Sequence, residues 1–174
     1  GSAATPFDHN LEIRANGDIQ LGSGNKYYLA DNRSLTMYAD NDGSGSGDFS
    51  VSDGVMRVGT GAGNISGNME FKGANLYFDA TGGTGTQVEV RGIGAQTLTS
   101  TAGSIVFANF SETTGSLLVS TTGGPQTITS ADYIEVVAGE GNGTFTTVSS
   151  GGNQTLTANG MILLAGSSDT IGHK

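Results

Sequence analysis

The sequence predicts an all-β fold: a parallel β-helix, or β-solenoid, in coils of about 28–30 residues with three short strands each. Two observations predict it. First, one signature recurs as Gln96-Thr97-Leu98-Thr99, Gln126-Thr127-Ile128-Thr129 and Gln154-Thr155-Leu156-Thr157, with starts 30 and then 28 residues apart. Each copy follows a short turn (Gly94-Ala95, Gly124-Pro125, Gly152-Asn153) and precedes an apolar run (Ser104-Ile105-Val106-Phe107, Tyr133-Ile134-Glu135-Val136-Val137, Met161-Ile162-Leu163-Leu164). Self-similarity at such a period marks stacked units, none of which can bury its apolar face alone. Second, 30 of the 174 residues are Gly and two are Pro, yet Val, Ile, Leu and Phe keep returning in short alternating runs. That is the pattern of many strands joined by Gly turns. There is no Gly-X-Y period to suggest collagen and no helical apolar stripe. An antiparallel β-sandwich is the alternative, because short strands with Gly turns also suit it. Identity at a fixed period between distant segments favours the β-helix.

The elements follow in order. Residues 1–10 read as an irregular lead-in. Residues 11–63 carry short, irregular strand-like runs: Leu11-Glu12-Ile13, Asp18-Ile19-Gln20-Leu21, Tyr27-Tyr28-Leu29 and Ser34-Leu35-Thr36-Met37-Tyr38. Asn16-Gly17 and Ser23-Gly24-Asn25 supply turns, since Gly and Asn tolerate positive φ. A Gly/Asp loop over 40–48 follows, then Phe49-Ser50-Val51 and Val55-Met56-Arg57-Val58. Residues 64–174 read as regular three-strand rungs of the same continuous domain. Met69 to Leu98, Leu76 to Ile105 and Val88 to Leu117 are each 29 residues apart, so one shift is expected to align all three strands of two successive rungs. A third copy covers 127–129, 133–137 and 144–148, and a fourth starts at Thr155. Alternation directs Leu98, Ile128 and Leu156 to one side of a sheet and the flanking Thr residues to the other. Leu98, Ile105, Leu117, Ile128, Ile134 and Leu156 are expected inside. Thr97, Thr127 and Thr155, with Thr99, Thr129 and Thr157, are expected as two outward ladders, a setting that suits β-branched side chains.

Charge narrows the partners. The net charge is −9, with eleven acids and six bases in residues 1–91 but five acids and one Lys in 92–174. An acidic chain without a Lys/Arg cluster is not expected to bind nucleic acid. There is no Cys, hence no disulfide framework or thiolate metal site. No apolar run reaches the ~18–20 residues needed to span a bilayer as a helix. Gly1-Ser2 reads as a cloning scar, so the chain is expected to begin inside a longer one.

The stretch Ser34-Leu35-Thr36-Met37-Tyr38-Ala39-Asp40-Asn41-Asp42-Gly43-Ser44-Gly45-Ser46-Gly47-Asp48-Phe49-Ser50-Val51 resembles the LTLxADxDGxGxGxxxV segments of filamentous-haemagglutinin-like bacterial exoproteins. The G-x-Q-T-[LI]-T motif followed by an Ile/Val strand is similar to repeats of the same proteins. The resemblance covers residues 34–174. It implies a right-handed parallel β-helix shaft, secretion across the outer membrane and a role in adhesion, biofilm or filament formation. The Asn-Pro-Asn-Gly secretion signature of that family is absent from the sequence, so the resemblance implies an internal or C-terminal shaft segment.

Candidate sites are few. Asp40, Asp42, Ser44 and Asp48 fall at ligand positions 1, 3, 5 and 9 of a Ca²⁺ loop, with Gly45 at the turn position and Ser46 at the carbonyl position. Val51 stands where the bidentate Glu belongs, and the flanks read as strands. The alternative is a solvated Gly/Asp turn. No other cofactor is expected. His9 and His173 lie in the terminal segments and read as incidental. Asp53, Glu70, Asp79 and Glu89 are the only pool for a carboxylate pair, and the chain is not expected to be an enzyme. Sequons at Asn32, Asn64, Asn109, Asn142 and Asn153 would matter only in a glycosylating host. The functional expectation is an extracellular or cell-surface structural and adhesive shaft segment. Its expected partners are itself, stacked head to tail, or a host-cell or cell-surface receptor. Alternatives are a carbohydrate- or ice-binding module using the outer Thr face, and a phage-tail-like fibre.

Overall fold

The structure, a computed structural model, describes residues 7–22, 26–53, 55–58, 67–80, 86–109, 115–138 and 144–165. The first coil is β1 (Leu11–Arg14), β2 (Ile19–Leu21) and β3 (Lys26–Leu29). The second is β4 (Leu35–Tyr38), β5 (Phe49–Ser52) and β6 (Val55–Val58). The third is β7 (Met69–Gly73), β8 (Leu76–Asp79) and β9 (Thr86–Gly92), and the fourth β10 (Gln96–Ser100), β11 (Ile105–Ala108) and β12 (Gly115–Thr121). The fifth is β13 (Gln126–Ser130), β14 (Ile134–Val137) and β15 (Phe145–Ser150); a sixth adds β16 (Gln154–Ala158) and β17 (Ile162–Ala165).

Every third strand pairs with the next in parallel. Sheet one runs β1-β4-β7-β10-β13-β16, sheet two β2-β5-β8-β11-β14-β17, and sheet three β3-β6-β9-β12-β15. This is a β-solenoid, with no helix among the described residues. The parallel ladders exclude the sandwich alternative. Among the described residues no helix is long and apolar enough to cross a membrane. Sheet one runs unbroken through the expected change near residue 64, because β4 pairs directly with β7.

The period of two sorts the side chains. Leu98, Ile105, Leu117, Ile128 and Ile134 are all fully buried, as the alternation predicts. Leu156 is only partly buried, since the last coil is covered from one side. Leu98, Ile128 and Leu156 share sheet one in register. Aromatic rings fill the middle of the stack. Phe49 lies 5.0 Å from Phe71 and 5.9 Å from Phe78, and Phe78 stacks on Phe107 at 5.1 Å and 12°.

One register departs from expectation. In sheets two and three, Leu76 pairs with Ile105 and Val88 with Leu117, as the 29-residue shift requires. In sheet one Met69 pairs with Gln96 and Phe71 with Leu98, a shift of 27. The slack lies in the corner between sheets one and two, where residues 101–104 of the fourth coil replace residues 74–75 of the third. A slip of two leaves every side chain on its own face, so alternation cannot reveal it.

Candidate functional site

The repeated signature is where the sequence concentrates its information, and the fold gives each of its positions a task. The Gly is a corner residue. A Cβ on Gly124 would lie 2.3 Å from the backbone of Gly94, and one on Gly94 would lie 2.4 Å from Gly67 O, so only Gly permits this close stacking of corners. The Gln sits two residues before the core Leu or Ile and shares its inward phase. Gln126 Nε2 donates to Gln96 Oε1 at 2.6 Å and to Val119 O at 3.2 Å, and Gln154 Nε2 donates to Gln126 Oε1 and to Val148 O. The result is an amide ladder running along the coil axis. Gln96 and Gln126 are 1% and 0% exposed, so their hydrogen bonds are what makes burial tolerable. The residue after the second Thr forms a hydroxyl ladder at the next corner: Ser100 Oγ and Ser130 Oγ lie 3.0 Å apart. Sequence reasoning missed both ladders. A polar residue recurring at an inward phase, Gln in all three copies and Ser in the first two before Ala158, is the signal that would have found them.

Thr97, Thr127 and Thr155 align in sheet one, as do Thr99, Thr129 and Thr157, forming the two expected outward ladders. Among the described residues none of these six hydroxyls has a partner within the protein. Their behaviour contrasts with Thr101, Thr121 and Thr146, which all donate to protein oxygens. Farther along the same face the ladders continue as Glu12, Thr36 and Glu70, and as Arg14, Tyr38 and Lys72. Four of these groups, Glu12, Arg14, Tyr38 and Glu70, interact with one another. Arg14 pairs with Glu12 and sits 4.3 Å over the Tyr38 ring. Burial, and then a hydrogen bond to Glu70, push the Tyr38 phenol up to about 12.

The loop joining β4 to β5 is the longest corner between sheets one and two. Asp40 takes a positive φ of 51°, and Gly43 and Gly45 take 71° and 79°. The Asp40 carboxylate is buried and accepts from Ser44 Oγ at 3.0 Å, Gly45 N at 2.8 Å and Thr101 Oγ1 at 2.9 Å. Burial opposes its ionisation, but hydrogen bonds from Thr101, Gly45, Ser44 and Ser46 outweigh that and hold it below the usual carboxylate range. Thr101 belongs to the fourth coil, so Asp40 clasps the second coil to the fourth across the third. Asp42 Oδ1 accepts from Ser44 N, an ordinary Asx turn. Ser44 Oγ also meets Ser46 Oγ at 2.8 Å.

Asp48 belongs to a different device. Its Oδ1 accepts from Asn75 N and Asn75 Nδ2 in the next coil, while its own N–H donates to Asp18 Oδ1 in the previous one. Asn75 Oδ1 in turn accepts from Ser104 N. The residues before β2, β5, β8 and β11 are thus joined in a chain, each linked to its equivalent one coil on. The four residues read as Ca²⁺ ligands are therefore divided between a clasp, a turn and a relay. Among the described residues no three Asp, Glu, His or Cys side chains gather into a possible ion site.

Of the carboxylates considered for catalysis, two stand apart and two come together. Glu70 lies on the outer face of sheet one and Glu89 pairs with Arg91 on sheet three at 3.3 Å, whereas Asp53 and Asp79 are neighbours in successive coils where sheet two turns toward sheet three, with Asp53 N donating to Asp79 O at 3.3 Å. Asn109 is fully buried and donates to Gly115 O and Phe145 O, which leaves no room for a glycan. Asn32 and Asn153 are exposed. His9 is exposed, and His173, Asn64 and Asn142 lie outside the described residues.

Ile162 and Leu164 are 44% and 71% exposed, although they continue the inward positions of Ile134 and Val136. Leu164, with Val136, Val148 and Leu156, lines a shallow, largely apolar hollow.

Comparison with protein-family models, with characterised proteins and with solved structures gives no match to this chain.

Proposed function

We propose that this chain is a segment of an extracellular β-helical shaft, structural and adhesive, of the filamentous-haemagglutinin-like kind suggested by residues 34–174. The observation that supports it most is the continuous pairing from β1 to β16 along one sheet, with polar ladders outside and one apolar column inside. A stack of this kind lengthens by adding coils, and its outer faces are what a cell-surface receptor would meet. Antibodies raised against the chain test the reading on cells of its source. A shaft segment should be detected in a much longer polypeptide, at the surface or in the medium, and be lost when intact cells are treated with protease. A band of the chain's own size inside the cell would overturn it.

A second reading has its own support. Six in-register Thr hydroxyls without protein partners suit a carbohydrate- or ice-binding face. Retention on crystalline cellulose or chitin, and thermal hysteresis, measure it. Thr127→Lys should abolish either activity, and a wild-type chain inert in both assays would end this reading.

A further inference from the structure

The charges of this chain are sorted by face. The strands of sheet two and the corners leading into them cover residues 15–21, 39–52, 74–79, 101–108, 131–137 and 159–165. In these segments every charged residue is an Asp or a Glu. The bases among the described residues lie elsewhere. Arg14 and Lys72 belong to sheet one, Lys26, Arg57 and Arg91 to sheet three, and Arg33 to the turn between β3 and β4. Arg14 meets the loop after β4 at Asn41 Oδ1, 3.0 Å away, and its charge is paired with Glu12.

The outer face of sheet two runs along the side of the stack, so its middle has paired strands before and after it. Tyr77 is in register with Ser50 in the coil before and with Val106 in the coil after, and Val106 is in register with Glu135. Tyr133 holds the outward position two residues before Glu135. Tyr77 is 37% exposed although strands pair on both its sides. Asp18, Asp48 and Asp132 stand at the entry corner of this face in the first, second and fifth coils, with Asp42 on the loop beside them. Among the described residues none of these four, nor Glu135, is in an ion pair. Burial, and then the charge of Asp48 and the nearby Tyr133 phenol, raise the Tyr77 phenol above its ordinary value, so strip and acids share one electrostatic neighbourhood.

Charge identifies the occupant. Carboxylates beside an aromatic and apolar strip suit a partner with alternating cationic and apolar side chains. Lys or Arg pairs with the acids, and a guanidinium can also lie over the Tyr77 ring. A second copy suits the face poorly, because each copy carries a net charge of −9. Coils follow one another every ~4.8 Å, and an extended chain rises ~3.3 Å per residue, so a short segment lying along the stack passes Asp48, Tyr77, Val106 and Asp132 in turn. We infer that the outer face of sheet two is a docking surface for a basic, extended polypeptide segment. The inference needs only this face and stands apart from both readings above.

Fluorescence anisotropy with a short labelled peptide repeating Arg-Ser-Leu-Ser tests it. The wild type should bind this peptide, more weakly as salt rises, and should not bind its Glu-Ser-Leu-Ser counterpart. Asp132→Lys combined with Glu135→Lys should weaken binding ~tenfold or more, and Tyr77→Ser ~threefold or more, with unchanged circular-dichroism spectra. Asp8→Lys combined with Glu12→Lys makes the same change in net charge on the first coil and should stay within ~twofold of wild type. Amide chemical shifts of the wild-type chain answer without any variant: the Arg peptide should move Tyr77, Val106 and Tyr133 and leave Thr97 and Thr127 in place. Absence of binding at low salt, equal losses in the two double variants, or shifts concentrated on another face would overturn the inference. A glucosamine polymer that moves these amides while the peptide does not would overturn it in favour of an amino sugar.

Discussion

The first three coils and the last three make the same cross-section from different materials. Coils one to three hold Phe49, Phe71 and Phe78 in one cluster, with centroids 5.0 to 6.5 Å apart, and carry paired charges on the outer face of sheet one. Beyond Phe107 the later coils are aliphatic inside, are threaded by the Gln96–Gln126–Gln154 amide ladder, and show only Thr on that face. The repeat is obvious in the second set and hidden in the first. Among the described residues burial follows position in the stack: Phe49, Phe71, Phe78, Leu98 and Phe107 in its middle are fully buried, Leu11 and Ile13 of the first coil are partly buried, and Ile162 and Leu164 of the sixth are exposed. Large rings fix register by shape, so corners there can vary in length. Smaller side chains specify register less, and the polar ladders supply what shape does not.

Deleting one ring should have the largest effect. Phe71→Ala, fully buried against two other rings, is expected to cost ~3–5 kcal/mol, and Leu98→Ala or Ile128→Ala ~2–5 kcal/mol. Leu156→Ala should cost clearly less, because its side chain already meets solvent. Urea unfolding at constant m-value measures all four, and equal losses at Phe71 and Leu156 would erase the contrast between the halves. The amide ladder comes next. Gln126→Leu removes the donor to Gln96 Oε1 and Val119 O and the acceptor for Gln154, stranding buried polar groups at ~1–3 kcal/mol. Gln154→Leu, at the exposed end, should cost less than Gln126→Leu; a larger loss at Gln154 would mean that the ladder is anchored from its sixth-coil end.

These effects track what the sequence could and could not reveal. Leu98, Ile128 and the Thr ladders were legible because apolar and β-branched residues alternate at a fixed period. The Gln residues were not, because a polar side chain is read as outward unless its phase is followed. The first two coils were harder still: residues 39–48 separate Tyr38 from Phe49 and hide their membership of one coil. Asp40 and Asp48 show what loop spacing does not reveal: their partners Thr101, Asp18 and Asn75 lie in other coils, and only the fold brings them together.

The clasp joins the two halves, so acid should loosen the join. Asp40 is held below its ordinary value, so its contribution to stability is fully present above the unfolded carboxylate range, near pH ~3.9, and is lost as pH falls through the folded value. Melting temperatures followed into acid should fall more steeply for the wild type than for Asp40→Asn, which has no carboxylate to protonate. Thr101→Val should reproduce part of the Asp40→Asn change at neutral pH, because it removes one of the donors. Parallel acid curves for wild type and Asp40→Asn would show that the halves are held by their cores alone.

The smallest effect is expected on the Thr face, where it is the most informative about function. Thr121 and Thr127 lie in adjacent strands of the chain, yet they differ in what their hydroxyls do. Thr121 Oγ1 donates to Gly94 O at a buried corner, whereas Thr127 is exposed and has no protein partner. Thr121→Val should therefore cost ~1 kcal/mol, the net value of a made hydrogen bond plus a stranded carbonyl. Thr127→Val keeps the β-branch that suits a strand and removes only a solvated hydroxyl, so it should stay within ~0.5 kcal/mol of wild type. Replacing Thr97, Thr127 and Thr155 together extends the comparison along one ladder. If that triple variant keeps its stability, the hydroxyls are not maintained by folding, and their in-register presentation is a property of the surface alone. If it loses several times the single-site value, the hydroxyls are coupled along the ladder through solvent. The signature would then be structural from its Gly to its last Thr, and the two halves would differ in how they hold register rather than in what they offer to a partner.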